Sequence, residues 1–204
     1  MKSAIGLAAA LALPLLVATG PALAEATLGP QDVPAGRYTI DTRETLVRYG
    51  VIHMGFNEFW GTFPGATGTL TIDPKAAAEA KLDVTVPVGR VETTNRELDG
   101  EFLSDKFFDA DQFPVMRFVS TRVTPTGPRT AKVAGDLTLH GVTKSVVLDV
   151  TFNAAGPNTF SKVLTLGFKG EGLVKRSDFG LGKFVPIVSD ETTITISAAF
   201  EKQP

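Results

Sequence analysis

The 204 residues include no cysteine. Disulfides, thiol nucleophiles and thiolate metal sites are therefore excluded, and the fold has only its core and its hydrogen-bonded backbone to hold it. Histidine is nearly as scarce, with two in all, His53 and His140. A zinc site built on them would need carboxylates to complete it, so no metal is expected. Excess charge is lacking as well: 20 Lys and Arg stand against 22 Asp and Glu, a formal net charge of −2. A chain so close to neutral has no general attraction for nucleic acid or an anionic membrane. Nowhere do long helical patterns alternate with strands, which argues against a parallel α/β sheet. The apolar run Ile5 to Val17 is shorter than the ~20 residues a membrane-spanning helix requires.

That run follows Lys2 and precedes Ala22-Leu23-Ala24, a small-x-small cleavage site. Residues 1–24 therefore read as a secretory signal peptide cut after Ala24, and without a cysteine there a lipoprotein anchor is excluded. The rest, 25–204, suits one domain with a sizeable core.

After a Pro/Gly leader at 25–36 the chain reads as strand after strand. Short strands are expected at Arg37–Asp41, Trp60–Phe63 and Thr67–Ile72, and a longer one at Thr45–Met54. In the last, Val47, Tyr49, Val51 and His53 share one face, and both faces are largely apolar. Leu82–Val88 alternates cleanly up to Pro87, and Val115–Val123 follows. A hairpin is expected where Val133, Gly135, Leu137 and Leu139 turn at Gly141-Val142 into Val146, Leu148, Val150 and Phe152. Leu164–Phe168 and Ile194–Phe200 complete the set, with Arg176–Phe184 as a loop. The pattern predicts an all-β fold, an antiparallel barrel of about eight strands. It carries more apolar side chains than a filled core needs, so a ligand-sized interior is expected.

One stretch breaks this rhythm. Leu98–Phe118 holds five of the fourteen phenylalanines: Phe102, Phe107, Phe108, Phe113 and Phe118. Thr94 to Glu97 has capping-box spacing, while Gly100 weakens any long helix. A short helical insert at 95–110 is expected to cover the barrel mouth as a lid.

Four segments, in order, resemble the YceI-like family of lipocalin-like polyisoprenoid-binding proteins. They are Val47–Phe56 leading into Gly61-Thr62-Phe63, then Leu98–Phe118, then GDLTLHGVTK (Gly135–Lys144), then RSDFG (Arg176–Gly180). The resemblance implies a barrel with a long apolar channel that binds a polyprenyl chain, as a quinone or polyprenyl phosphate, in the bacterial periplasm. It implies no catalysis and no cofactor beyond the bound lipid. A homodimer and a transient contact with a membrane or a quinone protein remain open as partners. The chain departs from the family pattern at Asn57–Trp60, where bulky Phe59 and Trp60 are expected to narrow the channel.

The ligand-contacting set expected on these grounds is Tyr49, Val51, His53, Phe56, Trp60, Phe63, Phe102, Phe107, Phe108, Phe118 and Arg176. A core histidine bonded to a carbonyl is the commoner outcome for His53, and His140 is expected to be exposed. Asp105, Asp109 and Asp111 lack the glycine turn and later glutamate of a calcium loop and read as caps and solvated turns. Ser104 and Ser177 lack a nucleophile elbow. Arg176 is expected to pair with Asp178 or a ligand phosphate. Three functions compete: a carrier or sequestering protein for a long apolar lipid, an enzyme acting on such a lipid, and an envelope stress or structural protein with a filled barrel.

Overall fold

The computed structural model describes residues 28–204; the expected signal peptide lies outside them. Ten antiparallel strands form one sheet: β1 (Gly36–Ile40), β2 (Leu46–His53), β3 (Asn57–Pro64), β4 (Thr67–Ile72), β5 (Lys81–Pro87), β6 (Val115–Pro125), β7 (Thr130–Leu139), β8 (Val142–Pro157), β9 (Leu164–Lys175) and β10 (Glu191–Lys202). Eight of them close into a barrel in the order β1-β4-β5-β6-β7-β8-β9-β10, with β10 pairing back onto β1. Closure leaves none of these eight with a free edge along its whole length.

β10 is where the ring is joined. Its far half pairs with β1, Phe200 opposite Ile40, and its near half pairs with β2, Ile194 opposite Tyr49. Between the two the chain kinks at Asp41–Thr45, and the backbone of Ala199 would lose its partners there. Instead the Asp41 amide donates to the Ala199 carbonyl at 2.9 Å, and the Ala199 amide donates to Thr45 Oγ1 at 3.0 Å. Buried Asp41 accepts from the Arg43 amide and guanidinium. That side-chain bond is the main cause holding its carboxyl below the ordinary range.

Alternation forms the strands, and positive φ forms the tight turns. The β7–β8 connection is His140-Gly141, with φ of 50° and 72°, one residue earlier than the sequence suggests. Both residues adopt the left-handed conformation that a two-residue hairpin turn demands. His140 is half-buried, not exposed: its Nδ1 donates to the Phe179 carbonyl at 3.1 Å, and its ring meets Phe113 edge-on at 4.8 Å.

The insert contains one helix, α1 (Arg96–Leu103). Its cap is Asn95, whose side chain accepts from the amides of Glu97 and Leu98; Thr94 does not fill that role. Asn95 is equally suited to it chemically. Thr93, one turn earlier, donates from its amide and hydroxyl to Asp99, which ties the start of the insert to the helix. Beyond Ser104 the chain doubles back: the Phe108 amide donates to the Phe102 carbonyl, and the Ala110 amide to that of Leu103.

The buried apolar residues do not make one solid core. One group, around Tyr38, Leu70, Phe152, Leu166 and Phe200, sits at the end of the barrel near β1. A second, around Tyr49, Phe63, Val86 and Met116, sits under the insert. A third, Phe118, Val133 and Leu148, lies along the wall between them.

Candidate functional site

The space between these groups is a cavity of about 800 Å³ that runs along the barrel. Its volume lies in the upper part of the range for small-molecule sites. Pro30, Pro74 and Pro128 line it at one end; His53, Phe59, Phe107 and Phe184 line it at the other.

β2 and β3 show how side chains are sorted into it. Their register places Val51 opposite Phe59 and Val47 opposite Phe63, and all four face the cavity. The alternate pair, Gly50 and Trp60, faces outward. The Trp60 ring lies where a Gly50 Cβ would be, 2.7 Å from that position, with the Arg48 guanidinium 4.2 Å above it. Trp60 therefore does not line the channel, and only Phe59 of the bulky pair is placed to narrow it. Phe56 is also outside, 86% exposed at the tip of the β2–β3 turn, where Met54 and Gly55 take positive φ.

Tyr49, Val51, His53, Phe63, Phe102, Phe107, Phe108 and Phe118 all line the cavity. The insert supplies three of these rings and locks them to the barrel edge-on: Phe108 against Phe63 at 5.6 Å, and Phe102 against Phe107 at 5.0 Å and Phe108 at 6.0 Å. Tyr49 completes the cluster, 5.6 Å from Phe63 and 6.5 Å from Phe102. Its ring folds over Gly61, directly across the ladder. A Cβ at Gly61 would come within 2.4 Å of the ring and hydroxyl, so only glycine allows this placement. The Tyr49 hydroxyl is the one buried side-chain polar atom among the described residues without a hydrogen-bond partner. Burial pushes its phenol well above the usual tyrosine range, and the Asp99 carboxylate adds to this.

Arg176 borders the cavity but is not available to pair with Asp178 or a phosphate. Its guanidinium donates to the carbonyls of Leu181, Lys183, Val188 and Ser189, the last at 2.8 Å. It staples the 181–190 loop, while Asp190 accepts from the Ser177 amide and hydroxyl. Lys183, on that loop, lies 3.5 Å from Glu101 of α1 and 4.5 Å from the Phe107 ring centroid. The loop and the insert thus meet over the same end of the cavity.

Much of the lining comes from strands that sequence reading treated only as strand faces: Phe152 on β8, Phe168 on β9 and Phe200 on β10. The alternation of those strands was visible. That these particular rings border the expected interior was not, because it depends on ring closure between distant strands. The residues at the far end, Pro74 and Pro128 among them, carried no signal of their own.

The family model described as YceI-like domain matches residues 38–200. A UPF0312 protein of Pseudomonas fluorescens is 35% identical over 187 residues, 88% of this chain and 93% of that protein. Among solved structures, Burkholderia cenocepacia BcnA superposes with a TM-score of 0.71 at 26% identity, covering 78% of this chain and 98% of BcnA. A polyisoprenoid binding domain from Saccharophagus degradans, described as implicated in plant cell wall breakdown, shares the fold with a TM-score of 0.62 at 13% identity, covering 83% of this chain and all of that one. The matched span runs from β1 into β10 and takes in the barrel, the insert and the cavity, so the chain belongs to the YceI-like family.

Proposed function

We propose that the protein binds a long apolar lipid of the polyisoprenoid class in its barrel, and acts as a carrier or sequestering protein in the periplasm. The observation that carries this reading is the cavity, whose walls are almost wholly aliphatic and aromatic. Burial of an isoprenoid tail there is favourable by about 25 cal/mol for each Å² removed from water and needs no charged partner. The YceI-like membership and the polyisoprenoid binding domain that shares its fold support the ligand class. The signal-peptide pattern of residues 1–24 supports export.

The chemistry available at the wall favours binding over catalysis. Arg176 and Arg129 are occupied with backbone carbonyls, and Glu101 and Lys183 pair with each other. His53 is left beside the cavity as a polar group for the ligand's end, while the Tyr49 hydroxyl is packed over Gly61. General acid–base catalysis needs groups of matched pKa converging on one reacting atom, and a phenol held well above its usual range is a hydrogen-bond donor, not a base.

The test is mass spectrometry of lipid extracted from the natively folded protein purified from its own host. An isoprenoid quinone or polyprenyl phosphate in near-stoichiometric amount is expected. Absence of any co-purified lipid, with no rise in melting temperature on adding polyprenyl lipid, would overturn the reading.

A further inference from the structure

At the end of the barrel where the insert and the 181–190 loop meet, the protein exposes an apolar surface. Met54 (52% exposed), Phe56 (86%), Phe184 (53%) and Ile187 (60%) stand out, flanked by Ile52 and Val185. They come from two segments joined by backbone bonds: the Met54 amide donates to the Ile187 carbonyl at 3.0 Å, and the Ser189 amide to the Ile52 carbonyl at 2.9 Å. Contiguous apolar surface of a few hundred Å² on a water-soluble domain marks an interaction site.

We infer that this rim is a bilayer-docking face, whose apolar side chains enter the lipid surface and let the ligand pass between membrane and cavity without crossing water. The inference rests on the lipid-binding reading of the cavity. Three observations select a bilayer over a protein partner. First, the patch runs into the cavity: Phe184 is exposed on the rim and also lines the interior, and its ring lies 6.3 Å from Phe107 of the insert. Second, much of the loop backbone is already paired. The Phe56 amide donates to His53, that of Val185 to Gly182 and that of Val188 to Phe184. Insertion therefore strands none of these donors in an apolar phase. Third, the surface is small. Two phenylalanines of about 150–250 Å² each and four smaller aliphatic side chains, roughly half exposed, present on the order of 500 Å², below the ~800 Å² per partner of a stable protein interface. Beside the patch, Lys183 of the loop pairs with Glu101 of α1, and the insert exposes both signs, Arg96 and Lys106 beside Glu97 and Asp105; with no basic cluster there, docking does not depend on anionic lipid and is insensitive to salt.

Flotation with phosphatidylcholine vesicles tests this. It compares the native chain, a Phe56→Ser/Ile187→Ser double variant and a Phe160→Ser control; Phe160 is 94% exposed at the opposite end of the barrel. All carry the same N-terminal segment, so differences read the altered side chains alone. None of the three positions lines the cavity, so the melting-temperature rise with farnesol should be equal in all and also reports correct folding. The expected result is vesicle partitioning reduced at least tenfold in the double variant, unchanged in the control and unchanged at high salt. A native protein that stays in solution, or a double variant that floats equally well, would overturn the docking face. So would a concentration-dependent dimer lost in the double variant without flotation by the native chain, which would assign the patch to a second copy. Flotation lost in the variant, with no farnesol shift in any chain, would sink the cavity reading while leaving the membrane contact standing.

Discussion

Removing one oxygen tests the electrostatics of the cavity wall. Tyr49 is 9% exposed, and its hydroxyl is buried with no partner. A buried unsatisfied polar group costs about 1–3 kcal/mol. Tyr49→Phe removes that cost and gives up only the hydroxyl's contacts over Gly61, so at neutral pH it should be as stable as the native protein or up to about 1 kcal/mol more stable. For a domain of this size that is a rise of about 2–4 °C. The alkaline limb sharpens the test. An unfolded tyrosine ionises near pH 10, whereas burial holds the folded Tyr49 phenol above that value. Above pH 10 the unfolded chain has released a proton that the native chain retains, so stability is complete below pH 10 and falls as pH rises. For one group the loss is about 1.4 kcal/mol by pH 11. Tyr38 contributes in the same direction, because burial raises its phenol too. Tyr49→Phe should therefore remove part of the alkaline destabilisation and leave the Tyr38 part. With two tyrosines in the chain, phenolate absorbance during titration reads both directly, beside denaturant unfolding at pH 8 to 11. A variant less stable than native at neutral pH, or one with an unchanged alkaline slope, would refute the unpartnered, buried hydroxyl.

Three further expectations concern neighbouring groups. Phe107→Ala/Phe108→Ala opens the aromatic lid, so it should shrink the melting-temperature rise produced by a polyprenyl ligand; a full-sized rise would show that these rings are core alone. Arg176→Met leaves four carbonyls without their charged donor and should cost about 3 kcal/mol or more, since bonds to charged groups contribute about 1.5–3 kcal/mol each; denaturant unfolding reads this, and ligand loss at unchanged stability would return Arg176 to the binding set. Gly61→Ala should cost about 1–3 kcal/mol by overpacking, and much less in a Tyr49→Ala background; equal costs in the two backgrounds would mean the Tyr49 ring is not what excludes a Cβ there.

What the sequence made legible followed period and chemistry. Tyr49, Val51 and His53 fall on one face by alternation alone and do line the cavity. Trp60 was misplaced because its ring invited a ligand role, although alternation from Phe59 and Phe63 sets it on the other face. The pairing of Gly50 with Trp60 makes that plain, but register is a long-range property. Phe56 entered the ligand set with the segment that carries the family resemblance, but it lies beyond His53, where β2 ends, and stands exposed in the turn. Arg176 looked available because its four acceptors are carbonyls, and backbone groups leave no trace in side-chain pattern. The helix start slipped by one residue because Thr93, Thr94 and Asn95 are all competent caps and packing chooses among them.

The joining of the ring at β10 bears on how the chain acquires its structure. The last strand supplies partners to β9 along its whole length and to both β1 and β2 on its other side, over separations of more than a hundred residues. Contacts between such distant points make folding slow. Until residues 191–202 are in place, three earlier strands present open edges able to pair with another molecule. A chain that emerges from its N-terminus onward, from a ribosome or through a membrane pore, therefore cannot shield its interior by degrees. It stays adhesive until residues 191–202 arrive, and a truncation that removes them should yield aggregates in place of a slightly weakened barrel.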